Sequence, residues 1–291
     1  MKVTIFEAPP RNFDPATASD RSLALYGLPR RPDPAKEPGL RKLWDRAFAR
    51  KPIFQKAHLV ETTAWHTRPR ALPKTNKFSL EGDWAGAVVN VPSLNLSPPE
   101  PANMVYAEWK VPAISTKPSE PGTQIVGFWV GLGGWNSGQV LQAGTAATLS
   151  GSSVSYWAWT EWFPAGYVID NLAIQPGDVV SVLVCAPESD HGFVSMMNQS
   201  TNVAISVGVA DPSGTNPYDG TSVEWIVESI ESEEPNFGSV TFQSISAGTQ
   251  HHTIDLSKAF TVSTVSSGKT LAKGEIISSE DQVEVVWEAA I

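Results

Sequence analysis

From about Trp84 to the C-terminus the chain is a succession of short runs rich in Val, Ile, Thr and Trp, bounded by Gly, Pro, Asn and Asp clusters, with no long helical periodicity between them. In the run 105–111, Val105, Ala107, Trp109 and Val111 share one face while Tyr106, Glu108 and Lys110 share the other, the alternation of a half-buried strand. Further runs fall at 124–132, 139–149, 153–163, 178–186, 202–210, 222–230, 238–246, 252–256, 260–265 and 282–288. Strands without crossover helices cannot build a parallel α/β sheet, which leaves two antiparallel sheets packed face to face, or a barrel. An all-β antiparallel β-sandwich is expected, and 291 residues suffice for one such domain plus an appendage.

The appendage is residues 1–80, a basic N-terminal extension, and the sandwich domain is 81–291. Residues 1–80 hold 16 of the 21 Lys and Arg and 7 of the 30 Asp and Glu, a formal +9, whereas the remainder carries a formal −18. Lacking a Lys/Arg-dense run, the extension points to its own acidic domain as partner rather than to nucleic acid or a membrane. Ser19 is placed to cap a short helix from Asp20 to Tyr26. Pro38 opens a second, whose Leu40, Leu43, Trp44, Ala47 and Phe48 share one face, with Arg41, Lys42, Asp45, Arg46 and Arg50 opposite. That helix calls for an apolar seat with an acidic rim, and residues 57–80 read as a linker. Cys185 stands alone, in an apolar run, and reads as a buried, inert thiol. No apolar stretch has the length of a membrane span and the first residues lack a secretory signal, so a cytoplasmic monomer is expected as written, secreted if the sequence is trimmed or exported by another route.

Several chemistries lose their signatures: there is no G-x-S-x-G, H-E-x-x-H, phosphate-loop or dinucleotide motif, and no Asp-Thr-Gly or Asp-Ser-Gly turn. His251 and His252 are the one histidine cluster, and as neighbours on a strand they would point to opposite faces, so neither metal nor cofactor is expected. His191 falls in a polar loop. Carboxylates on strands remain: Glu108, Glu161, Glu224 and Glu228. In the Trp-rich run 153–163, Ser155, Trp157, Trp159 and Glu161 share a face that looks more like a groove wall than a dry core. Two such carboxylates over a Trp-lined cleft would also suit a glycosidase.

Three blocks in order carry a resemblance: Trp129-Val130-Gly131-Leu132 leading to Leu141-Gln142-Ala143-Gly144, then Ser155-Tyr156 through Pro164, then Glu224-Trp225-Ile226-Val227-Glu228. With Asp83-Trp84-Ala85-Gly86 before them, the chain resembles the glutamic peptidases, or eqolisins, typified by fungal acid peptidases, over a little more than half its length. The resemblance implies a concanavalin A-like sandwich of two curved antiparallel sheets, an endopeptidase acting on polypeptides, Gln142 and Glu224 as catalytic residues, and Trp129, Trp157, Trp159, Glu161, Phe163 and Tyr167 around the substrate. For Trp157 and Trp159, ordinary core packing competes evenly with a cleft role. Residues Phe163 to Tyr167 would form a hairpin flap.

In that scheme ionised Glu224 takes a proton from water as it attacks the scissile carbonyl and returns it to the leaving amine, while Gln142 donates to the oxyanion. The chain departs from the family pattern at Gly133 and Trp157, where fungal members carry Asp. Without those two charges Glu224 is expected to stay near the reference of about 4.3, and an optimum in the acidic to mildly acidic range follows. The departures also keep open a catalytically silent sandwich that binds peptides or glycans. The extension would act as a propeptide released at low pH, or as a permanently docked arm.

Overall fold

The strands read from the sequence pair into two stacked layers. The computed structural model describes residues 2–62, 82–115, 123–135, 137–212, 218–230, 235–278 and 281–288. Along the extension these are β1 (Lys2–Ile5), helices α1 (Asp20–Leu25) and α2 (Pro38–Ala47), β2 (Ile53–Gln55) and β3 (Leu59–Thr62). Then follow β4 (Trp84–Asn90), β5 (Met104–Lys110), β6 (Thr123–Gly133), β7 (Val140–Ser150), β8 (Ser153–Trp162), β9 (Ala165–Ile169) and β10 (Val179–Cys185). The chain continues through β11 (His191–Asn198), β12 (Val203–Ala210), β13 (Ser222–Ser229), β14 (Ser239–Gly248), β15 (Thr253–Ile254), β16 (Phe260–Ser266), β17 (Lys269–Ser278) and β18 (Gln282–Trp287).

The front sheet runs β3-β9-β8-β7-β6-β13-β4-β16, antiparallel throughout. The back sheet runs β12-β11-β10-β5-β14, with β1 and the parallel β2 on the free edge of β12 and β15 beyond β14. Strand β14 serves two partners. Its first half pairs with β18, its second with β5, and the register shifts between Gln243 and Ser246. Through β18, β17 and β16 it joins the two layers along one side.

Period-2 alternation explains the core. Phe128, Val130, Leu132, Leu141, Ala143, Val223, Trp225 and Val227 of the front sheet meet Val105, Ala107, Trp109, Val182, Val184, Met196 and Val207 of the back sheet. Each fully buried large side chain contributes about 1.5–3 kcal/mol. The indole N–H groups reach acceptors across the gap: Trp109 donates to Thr145 Oγ1 at 3.1 Å and Trp225 to the Tyr106 carbonyl at 3.2 Å.

Helix α1 ends a residue short of Tyr26 and is capped by Ser19, which accepts from the Ser22 N–H; α2 has Pro38 in its first turn. Leu40, Leu43, Trp44 and Phe48 pack with Leu23, Leu28 and Phe54 onto Met104, Tyr106, Leu183, Cys185, Met197 and Ala204 of the back sheet's outer face. Cys185 is buried there, and burial pushes its thiol up to about 12. The seat differs from expectation in its rim, since Arg46 Nη1 donates to the backbone carbonyls of Ser244 and Ile245, not to carboxylates. Among the described residues, Arg30–Glu37, Lys36–Asp33, Arg41–Asp45, Lys51–Asp14 and Lys56–Glu7 pair inside the extension, and His58–Asp170 reaches outside it. Among the described residues, α2 meets the back sheet through apolar contacts and the Arg46 hydrogen bonds, with no ion pair between them.

Two further readings change. Leu59–Thr62, taken as part of a linker, is the edge strand β3 beside β9; it carries no apolar face from which to read it, and residues 63–80 lie outside the described residues. His191 opens β11 rather than lying in a loop, because the polar cluster ahead of it is the turn from β10. Among the described residues no helix is long and apolar enough to cross a membrane.

Candidate active site

One cross-strand row defines the site. Gly131 on β6 is opposite Gln142 on β7 and, on its other side, opposite Glu224 on β13; Gln142 is in turn opposite Glu161 on β8. Residues directly opposite in a sheet present their side chains to the same face, so Glu161, Gln142 and Glu224 stand together on the outer face of the front sheet. With strands roughly 4.8 Å apart, the backbones of Gln142 and Glu224 are separated by about 9.6 Å, a gap two such side chains can close from both sides. Gly131 floors that gap. A Cβ at this position would lie 2.8 Å from the Trp129 ring and 3.3 Å from Gln142 Cβ.

All three polar side chains are buried, Glu224 completely. Gln142 Nε2 donates to Glu161 Oε2 at 2.7 Å. Among the described residues, Gln142 Oε1, Glu161 Oε1 and both oxygens of Glu224 have no hydrogen-bond partner. Buried polar atoms without partners cost stability, so four in one row call for an explanation other than packing. Burial pushes Glu224 well above the ordinary carboxylate range, and the charge of Asp219 adds to it; the Ser222 hydroxyl and the Trp135 backbone N–H oppose the rise. Neither of those groups stands at hydrogen-bonding geometry to it. The expectation of a value near 4.3 is thereby corrected: removing neighbouring charges matters less than removing water. Burial likewise pushes Glu161 up to about 8, against the Gln142 hydrogen bond and with help from the Glu228 charge.

Glu228, one helical turn away in sequence but on the same strand face as Glu224, fastens the adjoining wall. Its Oε1 accepts from Trp84 Nε1 at 3.0 Å and its Oε2 from Trp129 Nε1 at 3.1 Å, and the two indoles meet edge to face at 4.9 Å. Burial pushes Glu228 up to about 7 despite the two N–H donors. Around the row lies an apolar cluster of Val88, Trp129, Val140, Trp159 and Ile226, with Trp135, Trp157, Phe163 and Phe260 packed against it.

With that geometry in view, the model of the Peptidase A4 family matches residues 82–287. The chain belongs to the Peptidase A4 family. It is 29% identical over 174 residues to aspergillopepsin-2 of Aspergillus niger, which is 55% of this chain and 58% of that relative, so the chain spans less than two thirds of the relative's length. The solved structure of scytalido-glutamic peptidase with a transition state analog inhibitor superposes with a TM-score of 0.59 at 20% identity, over 71% of this chain and 98% of the other. Aspergilloglutamic peptidase from Aspergillus niger gives a TM-score of 0.51 at 28% identity, over 56% of this chain and 99% of the other. The sandwich is therefore the fold of the glutamic peptidases.

Within this Peptidase A4 chain the sequence-predicted residues do not all converge. Trp129 and Trp159 are buried on the same face as the row, and Trp157 is half-buried there with its Nε1 donating to Thr148 Oγ1 at 3.1 Å. Phe163 joins the surrounding cluster. Tyr167 does not: it is opposite Thr160, so it points away from the face of Glu161, whose partner on β9 is Gly166. The hairpin turn is correspondingly short, with Phe163 and Pro164 between paired Trp162 and Ala165, and residues from Ala165 continue as sheet. Glu108 is on the back sheet, accepting from Tyr106 Oη at 2.6 Å, which separates it from the other strand carboxylates. Gly133, where the family pattern has Asp, adopts φ +81°, and a Cβ there would come within 2.5 Å of the Gln139 carbonyl. Two positions that the sequence reading named without giving them a place in the site are Gly131 and Glu228, and period 2 supplies it: Gly131 follows Trp129 by two, and Glu228 follows Glu224 by four. Elsewhere, Glu188, Asp190 and His191 bring possible metal-ligand atoms within 4.8 Å of one another at the β10–β11 turn, all exposed to competing water.

Proposed function

We propose that the protein is an endopeptidase that hydrolyses polypeptides, with Glu224 as general base and acid and Gln142 as oxyanion donor. The burial that raises Glu224 moves the acid limb of activity above the ordinary carboxylate range, so the acidic optimum expected from a value near 4.3 does not follow. The observation that carries this reading is the row Gln142, Gly131, Glu224, in which a side-chain-free floor separates an amide from a carboxylate and each retains unpartnered polar atoms.

The chemistry follows from those atoms. A water donating to a Glu224 oxygen stabilises the charged carboxylate and offsets part of the burial that raises its pKa. As the water oxygen attacks the scissile carbonyl carbon, its proton passes to Glu224 and the carbonyl oxygen gains negative charge. An N–H of Gln142 donates to that oxygen. Glu224 then gives the proton to the departing nitrogen, the C–N bond breaks, and a carboxylic acid and an amine leave. The rate rises with pH as Glu224 ionises, which sets the acid limb of the profile. Trp84 and Trp129, clamped by Glu228, and Trp159 supply apolar wall for a peptide.

For the extension we infer a docked arm rather than a removable leader. Strands β1, β2 and β3 add to the edges of both sheets, and α2 covers an apolar face that would otherwise meet water.

Digestion of denatured casein across the acidic and neutral range tests the assignment. The wild type is expected to release peptides, and Gln142→Ala to lose about 100- to 1000-fold in turnover. Release of sugars from a polysaccharide with no action on casein would instead establish a glycosidase, and binding without turnover a silent receptor.

A further inference from the structure

Gln142 has to present N–H, not C=O, to an oxyanion, yet its amide as placed spends one N–H on Glu161 Oε2 and leaves Oε1 without a partner. Amide oxygen and nitrogen exchange places by a half-turn, and the hydrogen bonds around them decide which way the group stands. Among the described residues the one hydrogen-bonding partner of this amide is Glu161, and Glu161 Oε1 is itself unpartnered.

We propose that Glu161 is a positioning residue: as a neutral carboxylic acid it donates its O–H to Gln142 Oε1 and turns the amide N–H₂ towards the scissile carbonyl, and as a carboxylate it captures an N–H and turns the amide's carbonyl there instead. This deepens the Gln142/Glu224 reading and rests on it for its catalytic consequence. The preference of the acid form follows from bookkeeping of donors. An O–H on Oε1 would be a buried donor with nothing to receive it, whereas an O–H on Oε2 meets Gln142 Oε1, and both N–H groups are then free.

The surroundings favour the acid form. Glu161 is 1% exposed. The titratable groups on the same face are Glu224 and Glu228, both from β13, and the charge of Glu228 bears on Glu161. Gly166 faces it from β9, Gly131 and Trp129 occupy that face of β6, and Val88, Gly86 and Trp84 that of β4. No Lys or Arg occupies a same-face position on any described strand of the front sheet. With burial pushing Glu161 up to about 8, it stays protonated through the acidic and neutral range and ionises above it. The alkaline limb of activity then reports Glu161 rather than Glu224.

Two readouts on the full chain test this, one independent of turnover. The side-chain amide resonance of Gln142, assigned by its loss in Gln142→Ala, is followed by ¹⁵N–¹H NMR from pH 4 to 9.5. In the wild type it is expected to shift with a midpoint near 8, to keep that transition in Glu228→Gln, and to lose it in Glu161→Gln, whose amide can donate to Gln142 Oε1 at every pH. In parallel, wild-type kcat is expected to fall through the same transition, while Glu161→Gln turns over severalfold more slowly at pH 5 and no longer falls towards alkaline pH. A Gln142 resonance that is flat, or that moves only near an ordinary carboxylate value, overturns the proposal without any variant. So does an unchanged alkaline limb in folded Glu161→Gln. A Gln142 transition near 8 in a protein that cleaves no peptide would uphold the hydrogen-bond switch and defeat the peptidase reading, so the two failures are separable.

Discussion

The two outer faces of the sandwich are both buried, and they are buried in opposite ways. On the back sheet, Leu40, Leu43, Trp44 and Phe48 close over Met104, Leu183 and Cys185, and the one indole among the helix residues finds its acceptor in the Pro29 carbonyl at 3.1 Å. On the front sheet, Glu161, Gln142 and Glu224 are no more exposed, yet four of their polar atoms go without partners. The carboxylates differ in the same sense. Glu37 is held below its usual range, first by the hydrogen bond from Arg30, while burial drives Glu161, Glu224 and Glu228 upward. One face is satisfied within the chain; the other leaves polar atoms unpartnered among the described residues, the departure from packing on which the proposed function rests.

The contrast breaks first under substitution in the site. Glu224→Gln is expected to lower kcat by about 100- to 10,000-fold, because the base is lost while the shape is kept; a thermal melt showing the variant folded completes the check. Trp44→Ala on the opposite face should do the reverse. It empties a buried indole site, costing about 3–5 kcal/mol in chemical denaturation while turnover per folded molecule is retained.

A smaller effect sharpens the electrostatic half of the comparison. Carboxyls whose folded pKa is raised contribute stability that is fully present below their unfolded value of about 4.5 and is lost as pH rises through the folded values of about 7 for Glu228 and about 8 for Glu161. Glu37 has the other sign, and its contribution is lost as pH falls below the ordinary carboxylate range. Tm is therefore expected to decline from pH 5 to pH 8.5, with a shallower decline in Glu161→Gln, as followed by calorimetry. The smallest effect belongs to the pair of half-buried Arg41 and exposed Asp45 on α2, whose removal in Arg41→Ala should change stability by no more than about 0.5 kcal/mol in a urea titration.

Gln142 and Glu224 were named by the resemblance to the glutamic peptidases, whereas the shared face of Trp157, Trp159 and Glu161 was legible from strand alternation alone and is the face the structure gives them. The same rule would have excluded Tyr167, one residue out of step with Gly166, had the length of the hairpin turn been known. Turn length depends on the pairing of Trp162 with Ala165, a non-local fact. The raised pKa of Glu224 was not legible for a similar reason, since burial comes from what other elements place over the strand, whereas neighbouring charges can be counted from the chain itself. The edge strands β1, β2 and β3 escaped because three or four residues carry too little periodicity to read, and the charge contrast between the halves does not tell which carboxylate a cation meets: Arg30 and Lys51 pair with Glu37 and Asp14 inside the extension.

A structure of the complex with a peptide-based transition-state analogue tests the central claim most directly. The account predicts that one tetrahedral centre sits over Gly131, with one of its oxygens about 3 Å from a Glu224 oxygen and the other within hydrogen-bonding reach of Gln142 Nε2. An analogue bound away from Gly131, or touching only one of the two side chains, would contradict it.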